Sequence, residues 1–298
     1  MELYIEKEFI DRFNTEYQSN CRNKGKNILA SILETYGDVN WFIDCEINSP
    51  EQLERYKKEN IFFASRTNYL APISVLSIKT HFFEKSNCDQ TLIFTVENQD
   101  WFDEAQKKGA LCFSYENFDV EIERIISICD NLKVDLSERF IGWDFFKELK
   151  TIPKNRVEIN DGYLFKENSG NKPLDQNLIP LLKNITALKS DMNVDFFRDF
   201  LNINKSSDAV DIEKIKRKLT NVFRSDYKLV FEYIQYHSHD RILYSNFFIM
   251  ECGVGFNFNT AKASNSKITV DTIFDKFNYN RINNHLRELK VKRALWLK

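Results

Sequence analysis

The sequence predicts an α/β protein with two domains. Its 298 residues exceed the usual span of one domain, which is about 100–200 residues. Hydrophobic residues make up 43% of the chain and aromatic residues 14%, which is enough to fill two cores. Short apolar runs typical of strands alternate with amphipathic stretches typical of helices, and this alternation predicts a mainly parallel sheet covered on both faces.

The first half begins with a predicted strand at residues 2–5, and a helix follows that carries Phe9, Ile10 and Phe13 on one face. A helix at 26–36, a short apolar segment at 41–43 and a helical pattern at 51–60 come next. The remaining predicted elements are strands at 73–78, 92–96 and 111–115 and helices at 101–109 and 120–130. Gly109 predicts the end of the helix that contains it, because glycine favours the residue after a helix.

Residues 142–155 are predicted to connect the domains, because apolar periodicity ends there and Pro153 interrupts any helix. The predicted domains are therefore 1–141 and 156–298. The second contains a strand at 156–159, a turn-rich segment at 167–177, a helix at 178–188 and a strand or helix at 194–201. It continues with a helix at 212–223, strands at 227–236, 242–251 and 268–274, and a helix at 282–289.

Charge and cysteine content limit the partners and the compartment. The net charge of -2 argues against bulk electrostatic capture of nucleic acid but allows a local basic groove. The six cysteines form no C-x-x-C pair, the N-terminus lacks the pattern of a signal peptide, and no apolar segment is long enough for a membrane span. We therefore expect a cytoplasmic protein with reduced cysteines and no membrane partner.

Residues 237–257 carry the chemically most informative pattern. His239 and Arg241 are two residues apart, so an extended strand would direct both side chains to one face. A guanidinium offers a planar fork of donors to phosphate oxygens, and an imidazole can act as a nucleophile or a proton carrier. Gly253 and Gly255 follow, where a missing side chain lets the backbone approach a ligand. The pattern predicts a phosphate pocket.

This spacing resembles the phospholipase D superfamily, whose members carry His-x-Lys-x4-Asp, six residues, and then a glycine-containing turn and an Asn. Here His239-x-Arg241-x4-Asn246 is followed by six residues, Gly253-x-Gly255, and Asn257 nearby. The segment is also similar to a divergent branch that includes the C-terminal domain of microtubule-interacting-and-transport proteins and many bacterial proteins of defence-like context. The resemblance implies a phospholipase D-like α/β domain that needs no metal cofactor.

The resemblance also implies roles for individual residues. The catalytic residues would be His239, as the nucleophile, with Arg241, Asn246 and His237. The phosphate would be bound by His239, Arg241, Gly253, Gly255 and Asn257. Two departures stand out, because Arg241 replaces the lysine and Asn246 replaces the carboxylate that supports the imidazole.

One copy of the motif is present, so a complete site would need a homodimer or His237 as a second catalytic histidine. Three interpretations remain open: a structural His239–Arg241 pair, a phosphate site without turnover, and an active phosphodiesterase.

The first half resembles PIN-like nuclease domains, in which carboxylates at the ends of parallel strands hold Mg²⁺ or Mn²⁺. The matching residues are Glu6, Asp44, Glu97 and Asp100, and Glu6 stands where that family has an aspartate. The alternative interpretation is a solvated sheet edge with acidic residues at helix N-termini.

Together these patterns predict a bacterial defence-type protein that recognises phosphate on nucleic acid or on another phosphorylated ligand. The alternatives are a nuclease or phosphodiesterase that uses His239 in a homodimer, a metal-dependent PIN-type nuclease, and a structural subunit of a larger assembly.

Overall fold

The structure is a computed structural model that describes residues 1–19, 23–66, 72–137, 140–161, 174–186, 191–198, 212–223, 228–235, 241–256 and 265–296. Strands alternate with helices along these residues, which confirms the predicted α/β class. The chain divides into two units, Met1–Ile125 and Ile126–Lys298. The predicted domain limits stay a prediction.

The first unit is built on a parallel sheet of five strands. They are β1 (Glu2–Ile5), β2 (Asn40–Ile43), β3 (Ile73–Ser74), β4 (Thr91–Thr95) and β5 (Leu111–Ser114), in the order β3-β2-β1-β4-β5. All four strand pairs are parallel. The central strands β1 and β4 are almost wholly buried, as expected for a parallel sheet covered on both faces.

Five of the seven helices described in the first unit match predicted helices. The seven are α1 (Lys7–Gln18), α2 (Lys24–Thr35), α3 (Pro50–Glu59), α4 (Ile61–Arg66), α5 (Ile78–Lys85), α6 (Phe102–Lys107) and α7 (Phe118–Asn131), which ends beyond the unit boundary. The sequence does not predict α4 and α5. Phe9, Ile10 and Phe13 of α1 are fully buried, which confirms the amphipathic pattern. Gly109 has a φ of 97°, so it ends α6 as the sequence predicts.

One predicted strand of the first unit is wrong. Residues 73–78 do not form a single strand, because the strand covers only Ile73–Ser74 and α5 begins at Ile78. The side chain of Ser77 accepts a hydrogen bond from the backbone N–H of Thr80, and this cap begins the helix.

The second unit contains a mixed sheet of seven strands. They are β6 (Val134–Asp135), β7 (Arg156–Asn160), β8 (Asp191–Arg198), β9 (Lys228–Gln235), β10 (Ile242–Ser245), β11 (Phe248–Cys252) and β12 (Lys267–Thr272). Their order is β6-β12-β11-β10-β7-β8-β9. Strands β7, β8 and β9 pair in parallel, whereas the pairs from β7 through β10, β11 and β12 to β6 are antiparallel.

The helices of the second unit begin in the segment predicted as a connection. The 3-10 helix Trp143–Thr151 lies within residues 142–155 and buries Trp143, Phe146 and Leu149. The other helices are the π-helix Leu174–Leu178, α8 (Ile179–Ile185), α9 (Ile212–Phe223) and α10 (Lys276–Trp296). None of the helices in the described ranges is long and apolar enough to cross a membrane.

The predicted strand at 242–251 is a hairpin. Strand β10 ends at Ser245 and β11 begins at Phe248, so the chain reverses at Asn246 and Phe247. The register pairs Tyr244 with Ile249, as expected for a two-residue turn. Because of this reversal, Arg241 before β10 lies beside the end of β11, whereas Asn246 lies at the opposite end of β10.

Candidate functional site

Arg241 lies at one end of the second unit's sheet, directly before β10. Strand β10 runs antiparallel to β7 and β11, so the start of β10 lies beside the ends of both neighbours. The backbone N–H of Cys252 donates to the carbonyl of Arg241 at 3.1 Å, which fixes the backbone there. The Arg241 guanidinium donates from Nη1 to the carbonyl oxygen of Gly253. The structure therefore brings Arg241 and Gly253 together.

A cleft of about 410 Å³ opens beside this pair. Its polar lining comes from Arg241, Glu251, Gly253, Ser266, Lys267 and Thr269. Glu251 forms an ion pair with Arg281 of α10, which offsets its charge. The lining also contains two cations, Arg241 and Lys267. Together with the hydroxyl group of Ser266, these groups suit an anionic oxygen ligand.

Gly253 and Gly255 have different structural roles. A Cβ atom at Gly253 would lie 2.4 Å from the hydroxyl oxygen of Ser266, so the absent side chain keeps the cleft wall open. Gly255 has a φ of 85°, a conformation that glycine adopts at little cost. It forms part of the turn after β11, where its N–H donates to the carbonyl of Cys252 at 2.9 Å.

Sequence analysis missed Asp161, a carboxylate that lies next to this turn. Asp161 directly follows β7 and is fully buried. Its Oδ2 accepts a hydrogen bond from the backbone N–H of Phe256 at 2.6 Å. Nothing in the local sequence distinguishes it from the other acidic residues, because its partner is 95 positions away.

The thiol of Cys252 is also part of the turn. It donates a hydrogen bond to the carbonyl of Gly255 at 2.8 Å, and burial raises the pKa of Cys252 to about 12. The thiolate is the nucleophilic form of cysteine, and a pKa this high keeps Cys252 protonated at neutral pH. Cys252 therefore has a structural role in the turn.

Asn246 does not join Arg241. It lies at the other end of β10, roughly 16 Å away for five residues of extended chain. Its Oδ1 accepts hydrogen bonds from the backbone N–H groups of Asn155 and Arg156, each at 3.1 Å. Its Nδ2 donates to Oδ1 of Asn155 at 2.7 Å. The side chain of Asn246 thus joins the hairpin turn to the start of β7, and its predicted catalytic role stays a prediction.

His237, His239 and Asn257 lie outside the described residues. Their predicted roles as nucleophile, second histidine and phosphate ligand stay predictions. The described residues of the predicted site are Arg241, Asn246, Gly253 and Gly255.

A buried ionic cluster lies between the sheet and α10, and sequence analysis missed it. Glu158 of β7 is 1% exposed and forms an ion pair with Arg156. Its Oε2 lies 3.6 Å from Nε2 of His285, and the His285 ring stacks on Tyr244 with a centroid distance of 3.9 Å. The cluster attaches α10 to the sheet.

In the first unit, three of the four predicted metal ligands follow the carboxyl ends of parallel strands, Glu6 after β1, Asp44 after β2 and Glu97 after β4. Glu6 follows β1, and its Oε2 accepts a hydrogen bond from the backbone N–H of Val96 at 2.5 Å. Asp44 follows β2 and accepts from the N–H of Lys7 at 2.6 Å. Burial raises the pKa of Glu6, and the negative charges of Asp44 and Glu97 raise it further against the opposing effect of the hydrogen bond from Val96.

Glu6 and Glu97 follow β1 and β4, the two strands between which the strand order reverses, and open α/β sheets commonly bind ligands at this position. Asp100 is apart from them: its side chain is 89% exposed and lies 3.7 Å from Nζ of Lys79. Among the residues that the structure describes, no group of three or more His, Cys, Asp or Glu side chains is arranged to hold a metal ion. The predicted Mg²⁺ or Mn²⁺ site stays a prediction.

Comparison with known proteins gives little further support for a function. No protein-family model matches the chain, and no curated protein matches it. The crystal structure of polyphosphate kinase from Porphyromonas gingivalis aligns with 80% of this chain at 12% sequence identity and a TM-score of 0.33. The aligned part is 34% of that kinase, so this chain spans about a third of its length. A likeness of this size carries no conclusion about the activity of this chain.

Proposed function

We propose that the second unit binds a phosphate group in the cleft between Arg241 and Lys267. The ligand is a nucleic acid or another phosphorylated molecule, and the shared chemistry is the phosphate. The observation that carries the proposal is the cleft itself, in which two cations and a serine hydroxyl line an opening of about 410 Å³. Arginine is well suited to such a site because its planar donors match phosphate oxygens.

The anchoring of Arg241 supports this assignment. Its guanidinium is a planar group with five N–H donors, and Nη1 donates to the Gly253 carbonyl. A guanidinium held by a backbone carbonyl loses less side-chain entropy when a ligand binds. The site is therefore better suited to anion recognition than a mobile surface arginine.

The position of Asn246 favours binding over turnover. In the phospholipase D superfamily the corresponding carboxylate supports the catalytic imidazole, and here the residue is an amide that joins the hairpin turn to β7. An active enzyme would need another residue to support the catalytic imidazole. The active phosphodiesterase stays an alternative, and cleavage assays decide it. Wild type and His239→Ala are each incubated with labelled DNA and RNA, once in Mn²⁺ and once in EDTA.

An equilibrium titration at fixed salt tests the proposal. The probes are short labelled single-stranded DNA, the matching RNA and inorganic pyrophosphate, which separate nucleic acid from free phosphate as the source of the ligand. We expect Arg241→Ala to weaken binding by about 10- to 100-fold, as for the loss of hydrogen bonds to a charged group.

Arg217→Ala is the matched control, because Arg217 is an exposed arginine on α9 of the same unit and does not line the cleft. It should retain the affinity of the wild type. Equal affinities of the wild type and Arg241→Ala would overturn the proposal, as would equal losses in Arg241→Ala and Arg217→Ala.

A further inference from the structure

The fully buried carboxylate of Asp161 supports the turn that borders the cleft. Burying a carboxylate costs free energy unless hydrogen bonds compensate, so its position calls for a partner. One partner is the backbone N–H of Phe256, which donates to Oδ2 at 2.6 Å. Phe256 is itself fully buried, so this bond holds the end of the turn against the core.

Gly255 makes room for that carboxylate. A Cβ atom at this position would lie 3.1 Å from Oδ1 of Asp161 and 2.5 Å from Oδ2, and the second distance is closer than real Cβ contacts. Its φ of 85° also favours glycine. The turn and Asp161 therefore fit each other only with glycine at position 255.

The same turn also holds Arg241. Within it, the N–H of Gly255 donates to the carbonyl of Cys252, and the thiol of Cys252 donates to the carbonyl of Gly255. These two bonds fix the backbone between Cys252 and Gly255, where the Gly253 carbonyl accepts the guanidinium of Arg241. Asp161 is thus connected to Arg241 through these hydrogen bonds and the backbone of residues 252–256.

We propose that Asp161 is a positioning residue of the phosphate cleft, which acts through the 252–256 turn to orient the guanidinium of Arg241. The inference rests on the proposed function of that cleft. Asp161 acts by holding Phe256 and does not touch the ligand. It is a different residue from Asn246, and it comes from β7 instead of the segment that carries Arg241.

A double-mutant cycle separates positioning from a general effect on folding. Affinities for labelled single-stranded DNA and for pyrophosphate are compared among wild type, Asp161→Ala, Arg241→Ala and the double variant. We expect Asp161→Ala to weaken binding about tenfold, the scale of one hydrogen bond to a charged group. In the Arg241→Ala background the same change should weaken binding by less than about twofold. Losses that multiply in the double variant would overturn the inference.

Two further substitutions keep the inference testable if Asp161→Ala does not fold. Asp161→Asn keeps an oxygen that can accept the Phe256 N–H, and it should bind within about threefold of wild type. Asp161→Glu keeps the charge but displaces the oxygen by one methylene, and it should bind as weakly as a variant that lacks the bond. Wild-type affinity in Asp161→Glu, or a tenfold loss in Asp161→Asn, would contradict an action through this hydrogen bond.

A measurement without ligand distinguishes failure of this inference from failure of the proposed function. Alkylation of Cys252 is followed by mass spectrometry of its peptide, with buried Cys129 as an internal reference. A loosened turn should expose the Cys252 thiol, so Asp161→Ala is expected to react faster than wild type while Cys129 is unchanged. If no probe binds the wild type, the proposed function fails. Equal Cys252 rates would overturn the role of Asp161 in the turn.

Discussion

The side chain of Asn246 shows how spacing in a motif differs from proximity in the folded chain. Four residues separate it from Arg241, and these four form β10, so the two side chains lie at opposite ends of one strand. Asn246 is 3% exposed, and its side chain accepts hydrogen bonds from two backbone N–H groups. One belongs to Asn155, just before β7, and the other to Arg156, the first residue of β7. Its contacts explain an amide at this position without any role in catalysis.

Substitution of Asn246 tests this role. Asn246→Ala should lower the free energy of unfolding by about 1–3 kcal/mol, because it leaves buried backbone donors without their acceptor. Asn246→Asp restores the carboxylate of the phospholipase D motif and should give no gain in phosphate affinity or in cleavage. Urea denaturation and probe titration measure the two effects. A cleavage activity that appears in Asn246→Asp would contradict the assignment.

Lys154 is a second buried polar residue, and it affects the stability of the fold instead of the binding of a ligand. Its Nζ donates to the carbonyls of Leu149 and Ile152 at the end of the 3-10 helix, at 2.7 and 2.5 Å. Burial lowers the pKa of Lys154 from 10.5 to about 7. The unfolded chain therefore binds this proton more tightly than the folded chain does.

This shift predicts a pH dependence with a defined sign. Because the folded pKa is the lower one, Lys154 makes the protein more stable as pH rises from about 7 to about 10.5, and its penalty is fully present below about 7. The free energy of unfolding of the wild type should rise relative to Lys154→Met over that range. Urea titrations at several pH values measure the difference. A difference that stays constant with pH would show that Lys154 has its ordinary pKa in the folded protein.

At the scale of elements, the ionic cluster around Glu158 connects β7 to α10. Glu158 lies between Arg156 and His285, and the stacked pair of Tyr244 and His285 extends the contact to β10. Breaking one partner of a buried ion pair leaves the other charge uncompensated. The cluster should therefore matter far more for stability than the exposed pairs do.

Glu158→Ala is expected to lower the free energy of unfolding by about 3–5 kcal/mol. The control is Asp175→Ala, because Asp175 pairs with Lys218 in the same unit and both side chains are 40–50% exposed. That control should cost less than about 1 kcal/mol. Thermal and urea unfolding of both variants give the comparison, and similar losses in the two would refute the importance of the buried cluster.

Across the whole molecule, the sequence predicts those helices and strands in which buried residues recur at a regular spacing. Phe9, Ile10 and Phe13 locate α1, and the apolar run of β4 locates a buried parallel strand. The hairpin of β10 and β11 is predicted as one strand, because every residue from Ile242 to Met250 is buried and only Ser245 and Asn246 interrupt the apolar run. The turn residue Asn246 is satisfied by a strand 90 positions away, which only the folded chain reveals.

The candidate site likewise contains residues that the sequence predicts and residues that it does not. Arg241 and Gly253 are predictable because a short motif carries them both. Asp161 and Lys267 are not, since their relation to Arg241 depends on strand order in the sheet. Side chains that meet through tertiary pairing leave no local pattern in one sequence.

The overall charge makes a further prediction for binding. The net charge of -2 supplies no general attraction for nucleic acid, so binding should depend on the few cations of the cleft. For single-stranded DNA held by Arg241 and Lys267, the slope of log affinity against log salt should be about −1.4, since each phosphate contact contributes about −0.7. Arg241→Ala should reduce its magnitude by about 0.7. A steep slope unchanged in Arg241→Ala would place binding on another surface.

The most direct test of the phosphate cleft is amide chemical-shift mapping of the deuterated full-length protein with inorganic pyrophosphate in EDTA. We predict that the largest changes occur at Arg241, Gly253, Ser266 and Lys267, and that Arg241→Ala removes them while Arg217→Ala retains them. Saturable changes confined to other residues, such as those around Glu6 and Asp44, would contradict the account, and so would the absence of any change.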